Sequence, residues 1–177
     1  MKKICLSLFL LLMILSLAAC TTVDESDVSI VLNPGVDTVE INTEYKDPGA
    51  TSKAYGFIIK NEVISNTVDT SVLGSYTIIY QVDYRNVIKT MTRVVSVVDE
   101  TAPTGTLNPG IDTVSIGSSW VDASVSAQDN SGETVTIETI GTVNTNIEGD
   151  YIITYLLSDS SGNISELIRY VFVIKAD

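Results

Sequence analysis

Carboxylate oxygen is the only abundant ligand chemistry in this sequence, which holds 22 Asp and Glu, two Cys and no His. Without imidazole, His-based acid–base catalysis, His-activated nucleophiles and His metal sites are excluded. Of the two thiols, Cys5 lies inside an apolar run and Cys20 follows the small residues Ala18 and Ala19. No phosphate-cradling Gly-rich loop occurs. A paired-carboxylate hydrolase would need two acids singled out by their surroundings, and none is, so no catalytic residue is assigned and no enzyme is expected. The oxygens that could serve calcium are Asp99, Glu100, Asp129, Asn130, Asp159 and Asn163. Calcium takes six to eight oxygens, there is no EF-hand spacing, and Asp and Asn are ordinary turn formers. Only Asp99 and Glu100 are assured of lying together, so the expectation is no cofactor, no metal and no measurable response to calcium. Among the aromatics able to stack on a sugar ring (Tyr45, Tyr55, Phe57, Tyr84 and Trp120), most read as core or strand-face residues. Trp120 is the best placed for an exposed contact, and the ligand-binding residues stay unknown.

What positions Cys20 is the segment before it. Lys2 and Lys3 precede an apolar run from Ile4 to Leu15, and Leu17-Ala18-Ala19-Cys20 closes it. This charge, core and small-residue exit describe a secretory signal over residues 1–19. The run falls short of the roughly 20 residues of a spanning helix. Its last four residues resemble the lipobox of bacterial lipoproteins. The resemblance implies that the Cys20 thiol receives a diacylglyceryl group, that cleavage falls before it, and that the new amine takes an acyl chain such as palmitate. It further implies a cell-membrane location on the extracytoplasmic face, with the membrane as partner through the lipid on Cys20. Residues 20–27 then serve as a lipidated tether, and the polar stretch from Thr21 to Ser29 is expected to be flexible. Removing Lys2 and Lys3 leaves eight basic residues against 22 acidic ones, a net charge of −14. Such a surface repels nucleic acid, so an extracellular protein or glycan is the expected partner.

A duplication organises the remainder. Leu32-Asn33-Pro34-Gly35-Val36-Asp37-Thr38-Val39 recurs 75 residues later as Leu107-Asn108-Pro109-Gly110-Ile111-Asp112-Thr113-Val114. At the same offset Tyr45 meets Trp120, Asp47 meets Asp122, and Gly74, Tyr76, Ile78 and Tyr80 meet Gly149, Tyr151, Ile153 and Tyr155; Arg93 meets Arg169 at 76. The one inserted residue falls in the turn Asp159-Ser160-Ser161-Gly162-Asn163. Two domains follow, 28–99 and 103–176. Apolar residues alternate with polar ones in each, and β-branched and aromatic residues crowd the last segments, which marks strands. The expected fold is all-β, two tandem immunoglobulin-like sandwiches. Tyr76 and Tyr151 occupy the tyrosine-corner position, each hydroxyl bonding back to the preceding corner, with Ile78 and Ile153 where the second core cysteine stands.

These residues resemble the bacterial immunoglobulin-like repeats called DUF5011. The resemblance is carried by Tyr45-Lys46-Asp47-Pro48-Gly49-Ala50, Gly74-Ser75-Tyr76-Thr77-Ile78-Ile79-Tyr80, Gly149-Asp150-Tyr151-Ile152-Ile153-Thr154-Tyr155, Ser158-Asp159-Ser160-Ser161-Gly162-Asn163 and the linker Val98-Asp99-Glu100-Thr101-Ala102-Pro103. It implies spacer or binding modules. The expectation is a non-catalytic, lipid-anchored surface module for binding or adhesion, with a structural spacer subunit of an envelope complex as the alternative.

Overall fold

The computed structural model describes residues 23–176, so the signal segment and Cys20 lie outside the described residues. The chain opens on a 3-10 turn, Glu25–Asp27, held by a capping box in which the Asp24 side chain accepts from Ser26 N. The stretch expected to be a flexible tether up to Ser29 is therefore structured from Asp24 onward, because paired local carboxylates satisfy the turn's free N–H groups. Among the described residues no helix is long and apolar enough to cross a membrane. Contacts gather the described chain into two compact units, residues 23–34, 48–65 and 79–92 in one, and 35–47, 66–78 and 93–176 in the other.

The first repeat has seven strands, β1 (Val28–Leu32), β2 (Thr38–Glu40), β3 (Ala50–Ala54), β4 (Phe57–Ile59), β5 (Glu62–Asn66), β6 (Gly74–Tyr84) and β7 (Val87–Val98). They form sheets ordered β1-β3-β4 and β2-β7-β6-β5. The alternation read from the sequence appears directly as burial, with Ile78, Tyr80 and Val82 of β6 and Val95 and Val97 of β7 turned inward. Arg85 and Asn86 both have positive φ, as a two-residue hairpin loop requires to match the strand twist. That explains the short Tyr84-Arg85-Asn86 junction.

The second repeat has β8 (Thr104–Leu107), β9 (Thr113–Ser115), β10 (Val125–Gln128), β11 (Thr136–Ile140), β12 (Gly149–Ser158) and β13 (Ile164–Ile174). Its sheets are β10-β8 and β11-β12-β13-β9. Val125 packs with Ile153, Tyr155 and Leu157 in the core, flanked by Trp120, Ala127, Val135, Val143 and Leu167. In both repeats the short strand after the Asn-Pro-Gly turn runs parallel to the last one, β2 beside β7 and β9 beside β13; all the other registered pairs are antiparallel. The chain is thus all-β, with two tandem immunoglobulin-like domains.

Each core contains one arginine. Arg169 is only 2% exposed. Its Nη1 donates to both carboxylate oxygens of Asp112 at 2.9 Å, its Nη2 to the carbonyls of Asn108 and Ser124, and its Nε to Tyr155 Oη. Tyr155 in turn donates to Asp122. In the first repeat Arg93 pairs with Asp37 at 2.6 Å and with Asp47 at 3.6 Å. A buried guanidinium is tolerable only when so fully paired.

Candidate functional site

Three of the six oxygen donors singled out in the sequence come together. Asp99 follows the last residue of β7, Asp129 the last of β10, and Asp159 the last of β12. Asp is a natural residue there, since its side chain bonds the backbone two positions on and starts the turn. One carboxylate oxygen from each lies within 4.8 Å of the other two. Asp99 is 8% exposed; it accepts from Thr101 N at 3.3 Å and Ser161 Oγ at 3.1 Å. Asp159 is gripped by Asn163, whose N and Nδ2 each donate at 2.8 Å. The same Asn163 amide reaches the Asp99 carbonyl at 3.1 Å. Asp129 Oδ2 takes Ser131 N at 2.8 Å and Ser131 Oγ at 2.5 Å. Its Oδ1 is sealed from solvent and has no hydrogen-bond donor.

The electrostatics of the cluster are uncompensated. Among the described residues no Lys or Arg forms an ion pair with any of the three acids. Burial raises the pKa of Asp99, and the charges of Asp129 and Asp159 add to the rise. Burial opposes the charge on Asp159 too, but hydrogen bonds from Asn163 and from the Gly162 and Ser161 backbone outweigh it and lower its pKa. Glu100, the other donor assured of lying nearby, contributes its backbone N–H to the Glu40 carboxylate instead. Within the same compact unit Asn130 Nδ2 donates to Glu40 Oε1 at 2.9 Å.

The aromatic candidates separate. Trp120, expected to be the best exposed contact, instead packs half-buried on the core of Val125, Ile153, Tyr155 and Leu157. Its indole N–H is enclosed without an acceptor, whereas Tyr45 at the matching position donates to Asp37 Oδ1 at 3.2 Å. The first repeat exposes Phe57 and Tyr55; Tyr55 meets Tyr84 edge to face, and the Arg85 guanidinium stands 5.5 Å from the Tyr84 ring.

A second feature went unread in the sequence. The outward face of the β12–β13 pair exposes Ile152, Ile168, Tyr170 and Phe172, with Ile152 paired to Tyr170 and Thr154 to Ile168. In the first repeat the matching positions are Thr77, Thr92, Val94 and Ser96, and Gln81 stands where Leu156 does. Ser75 to Asp150, Ile79 to Thr154 and Thr90 to Glu166 run the other way. The signal was available by comparing the two copies on their outward positions.

No curated protein matches the chain. Among solved structures, the chain is similar to the lipoprotein BT2262 from Bacteroides thetaiotaomicron at 17% identity and a TM-score of 0.36, with 82% of this chain and 80% of that one covered. It is also similar to the protocadherin GammaB4 extracellular domain at 11% identity and a TM-score of 0.35, covering 83% of this chain and 26% of that one. Residues 35–97 and 111–173 each match the bacterial surface protein Ig-like domain, and the chain therefore belongs to that family of bacterial surface proteins.

Proposed function

We propose that the chain is a non-catalytic module, held at the bacterial surface by a lipid on Cys20, that binds a protein partner through the outward face of β12 and β13. The observation that carries this reading is the divergence of that face between two copies of one domain. Duplicated sandwiches need apolar inward residues, and the long strands largely keep them, Ile78, Tyr80, Val95 and Val97 matching Ile153, Tyr155, Val171 and Val173. Outward residues are free to drift toward polarity, yet in the second repeat they become large and apolar. An exposed apolar patch of this kind marks an interaction surface. Ile152 and Ile168 share it with Tyr170 and Phe172, and a face that mixes aliphatic with aromatic side chains favours a protein over a sugar ring as the occupant. The first repeat, where Thr77, Thr92 and Ser96 share that face with Ile79 and Val94, then acts as a spacer. Membership of a bacterial surface family supports the location, and the lipobox-like Leu17-Ala18-Ala19-Cys20 supports the anchor.

The test is proximity crosslinking on intact cells carrying the full chain. Ile168→Glu with Tyr170→Glu should abolish recovery of the partner, while Thr92→Glu on the matching face of the first repeat should not. Equal recovery from both variants would refute the assignment of the face.

A further inference from the structure

We infer that the second repeat accepts an extended segment of a partner protein as an added strand on the free edge of β10, independently of the face of β12 and β13 proposed above. The two copies of the domain carry the argument. In the first repeat β3 lies between β1 and β4, with Ser52 opposite Ile59 and Ala54 opposite Phe57. Just past β4, Asn61 Nδ2 donates to the Ala50 carbonyl at 2.9 Å and to Ser52 Oγ at 3.1 Å. That edge is fully used, and Ser52 is 0% exposed. In the second repeat, among the described residues, β10 pairs with β8 alone. Gly132-Glu133-Thr134 stand at the place of β4 but serve a turn, with Gly132 N on the Asp129 carbonyl and Glu133 N on Ser131 Oγ. Thr136, which matches Asn61, has joined β11 opposite Ser158.

Alternate residues of an antiparallel strand address opposite neighbours. Ser124, just before β10, gives its carbonyl to Asn108 N on the β8 side. Ser126 and Gln128 therefore face β8, and Val125 and Ala127 aim their N–H and C=O groups at the open edge. Among the described residues no loop backbone bonds them there. Ala127, which matches Ser52, is only part-buried. Edges meant to stay open are guarded by charge or proline; β10 has neither, and Gln128 stands where β3 carries Lys53. The chemistry of the occupant follows from β4: a segment antiparallel to β10, with a branched apolar residue opposite Ala127 as Ile59 stands opposite Ser52. Its main-chain bonds supply affinity and its alternate side chains selectivity. Asp129 and Glu133 follow β10, so pairing two β10 edges would set like charges together, which favours a neutral or basic foreign strand over a second copy.

The experiment titrates the full chain in mild detergent with a fluorescent synthetic peptide copying residues 55–62. Anisotropy should show saturable binding, and the Val125 and Ala127 amides should exchange about tenfold more slowly in its presence. Ala127→Pro removes an edge N–H without touching a bond to β8, and should weaken binding about tenfold or more. Should that variant fail to fold, a peptide N-methylated at the residue copying Ile59 tests the same seam on the parent chain, and should bind as weakly. Ile168→Glu with Tyr170→Glu should bind the peptide as the parent does, which separates this edge from the outward face of β12 and β13. Absence of binding, binding that leaves Val125 and Ala127 unprotected, undiminished binding of the N-methylated peptide, or dimerisation that protects the same amides without peptide would each overturn the inference.

Discussion

Removing Arg169 leaves the Asp112 and Asp122 carboxylates, the Tyr155 hydroxyl and two carbonyls without their shared donor. Arg169→Ala should cost the second repeat about 3 kcal/mol in a urea melt. Arg169→Lys should recover little of it, because an ammonium cannot reproduce the planar fork. The tyrosine corners form as read, Tyr76 to the Val72 carbonyl at 2.7 Å and Tyr151 to that of Ile147 at 3.0 Å. Both bonds are exposed, so Tyr76→Phe and Tyr151→Phe should each cost only about 0.5–1 kcal/mol; a larger loss would mean that the hydroxyl also braces the core. Tyr45 supplies a pH signature. Burial first, then the neighbouring Asp37 charge, push its phenol up to about 12. The folded state thus holds this proton more tightly than the unfolded chain, whose phenol titrates near 10. Its contribution is complete below pH 10 and lost as the pH rises from 10 to about 12. Tyr45→Phe should flatten that part of the alkaline stability profile, and ultraviolet titration should find one fewer late-ionising tyrosine. The partners of the arginines were visible in the sequence as residues recurring in register. Their convergence was not, because Arg93 and Asp37 stand 56 residues apart and strand alternation assigns the arginine's position to an apolar side chain.

The strands themselves were legible wherever alternation ran long, as in β6 and β12, where the inward residues are those the pattern selects. The short parallel strands β2 and β9 carry only three residues each, too few to show a period, and β4 has no counterpart between β10 and β11. Packing shows how two copies of one element diverge. Ile30 of β1 is buried, and Gly105 of β8 occupies its place in the second repeat. The room is taken from the opposite sheet: a Cβ on Gly105 would lie 2.7 Å from Leu157 Cδ1 and 2.9 Å from Leu167 Cδ1. Leu157 stands where the first repeat has the smaller Val82. Gly105→Ala should therefore destabilise the domain by about 1–3 kcal/mol through overpacking, and adding Leu157→Val should return part of the loss. Denaturant midpoints of the single and double variants check the coupling. The acidic cluster was half legible: strand-end aspartates could be named, but which of six donors meet depends on how three loops close.

For the molecule as a whole, composition and duplication were enough to reach the all-β class and the two domains, since a repeat identical at seven of eight positions is visible without any knowledge of the turn chemistry. Cys20, the residue proposed to carry the anchor, lies outside the described residues. Cys20→Ser should shift the protein from the membrane pellet to the soluble fraction after a high-salt wash, and persistence in the pellet would call for a second means of attachment. The parallel strand pairs bear on how each repeat meets tension. In each repeat the first parallel strand leans on the last, with Ser96 N bonded to the Asp37 carbonyl and Ile41 N to that of Val98, and with Phe172 N bonded to the Asp112 carbonyl and Ile116 N to that of Ile174. Pulling the two ends of a repeat apart slides β2 along β7, or β9 along β13, lengthwise. The bonds of a parallel seam then resist in shear, all loaded together, instead of unzipping singly. Asp37 and Asp112, whose side chains hold the buried arginines, sit at the head of that seam, so the ion pairs that fill the core also fasten the line along which force would first part each domain.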